Sequence, residues 1–173
     1  MNIQRLAPLA AVVAALAVFA DSGAEPASDA VAPVFGIAVP AGYRDWRLVS
    51  VAREEGALQD IRAVLGNDIA IEAFREGIQP FPDGTIIARV AWNYQPLPES
   101  EEAFGQPQSH VAGQPRNGVQ FMVKDSKRYA STGGWGFAHF DHGKPAGEEV
   151  HNKCFACHQI VEDRDFVFVS YAP

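Results

Sequence analysis

Both cysteines of this 173-residue chain fall within one short stretch, Cys154-Phe155-Ala156-Cys157-His158, which constrains the C-terminal region more than any other feature. Two thiols separated by two residues, with a histidine directly after, form the attachment signature of c-type haem. From one helical turn both sulfurs reach the two vinyl groups of the porphyrin. The histidine is then aimed at the iron from the same side, as its axial ligand. Neutral imidazole is the ligating form, and its second ring nitrogen needs an acceptor to fix the tautomer. A zinc site would want two further ligands at fixed spacing, and the chain has no second cysteine pair and no close histidine pair. A redox dithiol would call for a thioredoxin-like βαβ setting, which the pattern does not offer. The motif predicts one covalently attached haem c, with Cys154 and Cys157 as attachment points and His158 as the iron ligand. It leaves open whether the iron carries electrons, binds a gas or performs chemistry.

The N-terminus agrees with that reading. Arg5 precedes an apolar run over residues 6–20, and small residues then offer cleavage points after Ala20 or Ala24. This predicts a signal peptide over residues 1–20 (or to 24) and a periplasmic protein, in the compartment where haem c is attached. An uncleaved anchor is the competing reading, but a spanning helix needs about 20 apolar residues and this run is shorter. No membrane insertion is expected after cleavage. Residues 25–42 read as a flexible leader and residues 43–173 as a single domain. A formal charge of −7 argues against nucleic acid or an anionic membrane as partner, since both call for basic patches. It is compatible with a basic redox partner, which the sequence does not identify.

Within the domain, alternation of apolar and polar residues predicts strands over residues 43–54, 60–65, 85–92, 119–123, 133–140 and 166–171. Asn67 and Gly77 bracket a short predicted helix, and Asp125 or Ser126 caps a helical turn. Residues 146–161 form the helix that carries the haem motif. Residues 94–117 hold four prolines and three glutamates and read as a long surface loop. This order, without βαβ regularity, predicts an α+β fold: a mainly antiparallel sheet with flanking helices.

Several segments in this order resemble the cytochrome P-460 family, which also contains the cytochromes c′-beta. They are Tyr43-Arg44-Asp45-Trp46, Pro82-Asp83-Gly84-Thr85, Val123-Lys124-Asp125-Ser126-Lys127-Arg128-Tyr129, Gly134-Trp135-Gly136-Phe137, and the haem motif followed by Asp165-Phe166-Val167-Phe168. The resemblance spans residues 43–173. It implies a homodimer with one five-coordinate haem c whose distal side is open to a small gaseous or nitrogenous ligand such as nitric oxide. Members of the family either oxidise hydroxylamine and handle nitric oxide, or bind gases without obvious turnover.

Two positions depart from the pattern of the enzymes. Where those carry a lysine bonded to the haem edge, this chain has Arg89. A guanidinium stays protonated and is a poor nucleophile, which argues against the cross-link. Where they place a distal carboxylate, this chain has Gln120, an amide that can hydrogen-bond a ligand but cannot act as general base. Arg89 lies on an otherwise apolar strand and would need an anionic partner, for which a haem propionate or a ligand-bound iron would serve. A surface arginine at a strand edge is the alternative. Arg62, on a neighbouring predicted strand, is a second distal candidate; it too can be read as simply exposed. Gln120 is either a distal donor or a solvent-facing strand residue. None of His110, His139, His142 and His151 is expected to ligate iron. Phe81, Phe121, Phe137 and Phe140 are candidates to hem in the distal site, or simply core.

The sequence therefore predicts a periplasmic mono-haem c protein that binds a small ligand, with a role in nitrogen-oxide detoxification or redox. The alternatives are a hydroxylamine or nitric oxide oxidoreductase, favoured by a cross-linked haem, and a simple electron-transfer cytochrome, favoured by His139 or Met122 on the iron.

Overall fold

Runs of β-branched and aromatic residues broken by Gly- and Asp-bearing turns pair here, each with its sequence neighbour. The result is the six-stranded antiparallel meander expected of short connections. The structure is a computed structural model that describes residues 30–172. The expected signal peptide and residues 25–29 of the leader lie outside the described residues.

In chain order the elements are a short hairpin of β1 (Val31–Ala32) and β2 (Ile37–Ala38), then β3 (Arg47–Glu54), β4 (Asp60–Gly66) and α1 (Asp68–Glu76). They continue with β5 (Ile86–Pro96), α2 (Glu99–Phe104), β6 (His110–Lys124), β7 (Trp135–Asp141), β8 (Lys144–Pro145) and α3 (Glu148–His158). A 3-10 stretch, Gln159–Arg164, extends α3. The large sheet runs β3-β4-β5-β6-β7-β8, and the whole is an α+β fold. Among the described residues no helix is long and apolar enough to cross a membrane.

Directly paired residues of an antiparallel sheet share a face, so the register sorts the core into two halves. One face carries the rows Gly66–Ile87–Met122–Phe137 and Val64–Arg89–Gln120–His139. It is covered by α1, α3 and the C-terminal segment, with Val49, Ile71, Phe81, Trp135, Phe166 and Val167 filling the space between. The other face carries Ala88–Phe121–Ala138 and Val90–Val119–Phe140, and the N-terminal hairpin packs on it. α1 forms where its local signals place it. Asn67 Oδ1 accepts from the Ala70 N–H, and Gly77 ends the helix in a left-handed conformation at φ 64°.

Four expectations are corrected. The leader is not slack throughout: residues 31–38 fold as the hairpin, with Ala32 1% and Ile37 6% exposed, and Phe35 edge-on to Tyr129 and Phe137. Its apolar residues complete the second face of the sheet, which would otherwise stand in water. Residues 94–117 are not a surface loop either. β5 and β6 pair beyond the main sheet, through Tyr94↔Ala112 and Pro96↔His110, and α2 caps the arm. The prolines are tolerated because none occupies a ladder position that needs its N–H. Pro96 ends a strand, Pro98 precedes α2, and Pro115 sits opposite Trp92 at a register shift. Residues 43–45 are a 3-10 turn rather than the start of β3, and a bulge between Leu48 and Ser50 turns both Val49 and Ser50 inward. The predicted final strand over residues 166–171 is absent. Asp165 and Phe166 both adopt left-handed backbone, at φ 49° and 64°, which takes the following chain across the core instead of along a sheet edge. Its last contact is the Ala172 N–H donating to the Val49 carbonyl.

Candidate functional site

The haem motif occupies the last turn of α3, so Cys154 and Cys157 lie one turn apart and His158 closes the helix. The two sulfurs are not joined to each other. Cys154 is half-buried, with its Sγ 3.4 Å from the Val150 carbonyl, while Cys157 is exposed. Burial, and then the neighbouring Cys157, pushes the Cys154 thiol above its ordinary value. His158 lies between Phe137 and Phe168, at 4.9 Å and 5.1 Å between ring centroids. Its Nδ1 donates to the Phe166 carbonyl at 2.7 Å, which leaves the Nε2 lone pair as the ring's ligating atom. Burial holds this imidazole below its usual pKa, against the opposing pull of the Phe166 carbonyl, and so favours the neutral form that binds iron. Two cysteines a turn apart and not paired with each other, beside an imidazole whose Nδ1 is already engaged, fit a c-type haem. Among the described residues no group of three or more His, Cys, Asp or Glu side chains could hold a metal ion.

Arg89, Gln120 and His139 form one row across β5, β6 and β7, on the face where Phe137 meets His158. The register thus puts all three one step along the strands from Phe137, with His139 on β7, the strand against which the motif helix packs. Arg89 has an anionic partner inside the protein: its Nη2 donates to Asp60. Asp60 is fully buried and also accepts from Arg62 Nε at 2.9 Å and Asn117 Nδ2 at 2.7 Å. Arg62 reaches Glu54 as well, at 3.1 Å. A haem propionate is therefore not required to neutralise Arg89. Burial, then the nearby Arg62, lowers the Arg89 pKa, and Asp60 offsets part of that. Arg89 Nη1 remains buried without a hydrogen-bond partner, a donor still available to something placed against this face.

The remaining candidates separate. Phe81 and Phe137 pack on the motif side, but Phe121 and Phe140 lie under the N-terminal hairpin, so the four do not line one site. His110 and His142 are exposed, and His110 stacks edge-on to Tyr94. His151 is fully buried with both ring nitrogens engaged. Nδ1 donates to the Gly147 carbonyl at 2.9 Å, and Nε2 accepts from the His139 N–H at 3.1 Å, pinning the start of α3 to β7.

Sequence reasoning missed Asp60, Asn117 and the acceptor of His158. Asp60 alternates with Arg62 on one strand, which signals a shared face, but nothing local shows that Arg89 arrives there from β5. The conspicuous segment at residues 82–85 proves to be a structural knot. Asp83 accepts from the Ser126 N–H and hydroxyl, both at 2.7 Å, and the Gly84 N–H donates to the Lys124 carbonyl.

A family model described as Cytochrome P460 matches residues 40–169. No curated protein matches the chain.

Proposed function

The chain belongs to the cytochrome P460 family, whose members hold a haem, and from that premise we propose that it is a periplasmic mono-haem c protein taking a small ligand such as nitric oxide. The observation that carries this reading is the Cys154, Cys157 and His158 constellation, with the imidazole already oriented by the Phe166 carbonyl. Haem held there by Cys154, Cys157 and His158 would supply an iron able to take a diatomic or similarly small molecule. The protein's own contributions are threefold. Cys154 and Cys157 tether the porphyrin, His158 Nε2 donates to the iron, and Phe137 and Phe168 keep water from the imidazole.

Arg89 and Gln120 are proposed as the polar groups of the ligand side. The unpartnered Nη1 of Arg89 is a donor that a bound, partly negative ligand atom would satisfy. The same pair weighs against hydroxylamine turnover. Arg89 is committed to Asp60 as a cation and cannot act as a nucleophile towards the haem edge, and Gln120 accepts no proton. A role in nitrogen-oxide detoxification or redox buffering follows from such ligand binding. The expected homodimer would find apolar surface on β3, where Leu48 and Val51 are exposed.

The absorption spectrum of the ferrous protein, with and without nitric oxide, tests the proposal. A high-spin five-coordinate spectrum that changes on adding nitric oxide supports it. A six-coordinate low-spin spectrum before any ligand is added overturns it. Consumption of hydroxylamine, together with an additional protein–haem bond by mass, would favour the enzymatic alternative.

A further inference from the structure

Three segments, Lys124-Asp125, Gly133-Gly134-Trp135 and Asp165-Phe166, converge behind the His158 imidazole. Lys124 ends β6 and is 5% exposed, yet it carries a charge. Its Nζ donates to both oxygens of Asp165, at 2.7 Å and 2.9 Å, and to the Gly133 carbonyl at 3.1 Å. It also lies 4.9 Å from the centre of the Trp135 ring. The Asp165 side chain is 8% exposed, and its Oδ2 accepts from the Phe81 N–H at 2.7 Å. The pair therefore joins the end of β6, the approach to β7, the turn before β5 and the chain leaving α3.

A buried ion pair is a poor source of net stability, because desolvation of both charges offsets their attraction. What it does provide is a fixed geometry, and this geometry is unusual. Asp165 and Phe166 are consecutive non-glycine residues in left-handed backbone, a conformation that persists only when the surroundings hold it. The Phe166 ring supplies one restraint. It lies flush against Gly133, where even a Cβ would fall 2.1 Å from the ring. Lys124 and the Phe81 N–H supply the other, gripping the Asp165 carboxylate. The outcome of this double reversal is that the Phe166 carbonyl points back at His158 Nδ1, at 2.7 Å.

We propose that the Lys124–Asp165 pair is a positioning device for the proximal histidine. It fixes the Phe166 carbonyl against Nδ1 and so sets how strongly Nε2 donates to the haem iron. The inference rests on the reading of His158 as the axial ligand. A firm acceptor on Nδ1 makes an imidazole a stronger donor, which strengthens the iron–nitrogen bond and favours the ferric state. Lys124 and Asp165 touch neither iron nor ligand; they act through the backbone of Phe166.

The test uses the haem-loaded full chain in two measurements: the iron–histidine stretching band of the ferrous protein by resonance Raman, and the midpoint potential. Asp165→Asn keeps an acceptor for the Phe81 N–H but loses the charge that holds Lys124; Asp165→Ala loses both. The iron–histidine band is expected to shift to lower frequency and the potential to rise, more for Asp165→Ala than for Asp165→Asn. Lys124→Met combined with Asp165→Leu removes both charges without stranding either. It keeps the test open should a single change fail to fold, and it is expected to shift both readouts in the same direction. His151→Phe serves as the comparison, because it weakens α3 without touching the Phe166 carbonyl, and it should leave band and potential in place. Folded Asp165→Asn or double-variant protein with unchanged band and potential overturns the inference. Absence of an iron–histidine band from the wild-type protein overturns the five-coordinate, His158-ligated reading itself, a failure distinguishable from the first.

Discussion

Asp60→Asn should cost this protein a large part of its stability, although Asp60 is remote in sequence from the haem motif. The carboxylate is 0% exposed and serves two guanidiniums, Arg62 and Arg89, whose side chains are each 13% exposed. Glu54 reaches Arg62 directly and Arg89 only at longer range, and is itself 40% exposed. Replacing one member of a buried charge network leaves an uncompensated charge, which costs about 3–5 kcal/mol. Asparagine keeps one acceptor oxygen, so the lower end, about 3 kcal/mol, is the expected loss. For a chain of this size that corresponds to a drop in melting temperature of roughly 6–12 °C. Urea unfolding followed by far-UV circular dichroism and tryptophan fluorescence would measure it, provided the m-value is unchanged. Adding Arg89→Met to Asp60→Asn removes one stranded cation and should recover more than about 1 kcal/mol of the loss. A loss below about 1 kcal/mol for Asp60→Asn would refute the reasoning, because it would mean that the arginines reach water and the cluster is a surface feature.

Three shorter predictions follow from other parts of the fold. Ile37→Ala should destabilise by about 2–4 kcal/mol in chemical denaturation; an effect near zero would return residues 31–38 to the status of a slack leader. His151→Phe leaves the His139 N–H without its partner, while the Gly147 carbonyl keeps the Val150 N–H, and should cost about 1–3 kcal/mol by the same assay. Burial first, then Arg89 and His151, hold the His139 pKa below its ordinary value. The unfolded chain therefore takes up this proton before the folded one as pH falls below about 6.5, and stability declines on acidification until the folded-state value is passed. His139→Gln should flatten that decline, and an unaltered slope would contradict the assignment.

The parts legible in the sequence were those with local causes. Asn67 and Gly77 bracket α1 through bonds within a few residues, and the haem motif declares itself within five. The α+β class followed from strand alternation and short connections. What escaped notice depends on partners distant in the chain. The β5–β6 arm was hidden because proline reads as a breaker until its position in the ladder is known, and Pro115 lies at a register shift. The segment after Asp165 alternates like a strand, but its backbone is turned by Lys124, a residue 41 positions earlier. Arg89 needed an anion, as its apolar strand suggested; that the anion is Asp60 is a consequence of register, and of Arg62 facing the same way.

The central claim is that Cys154, Cys157 and His158 hold a covalent haem. It is tested most directly by the intact mass of denatured protein, produced in a host that attaches haem c, alongside the same measurement on Cys154→Ala/Cys157→Ala. The account predicts that wild-type protein keeps the mass of one haem after denaturation and offers no thiol to alkylation, while the double variant loses the pigment on acid extraction. Wild-type protein with two alkylatable thiols and no added mass would contradict it.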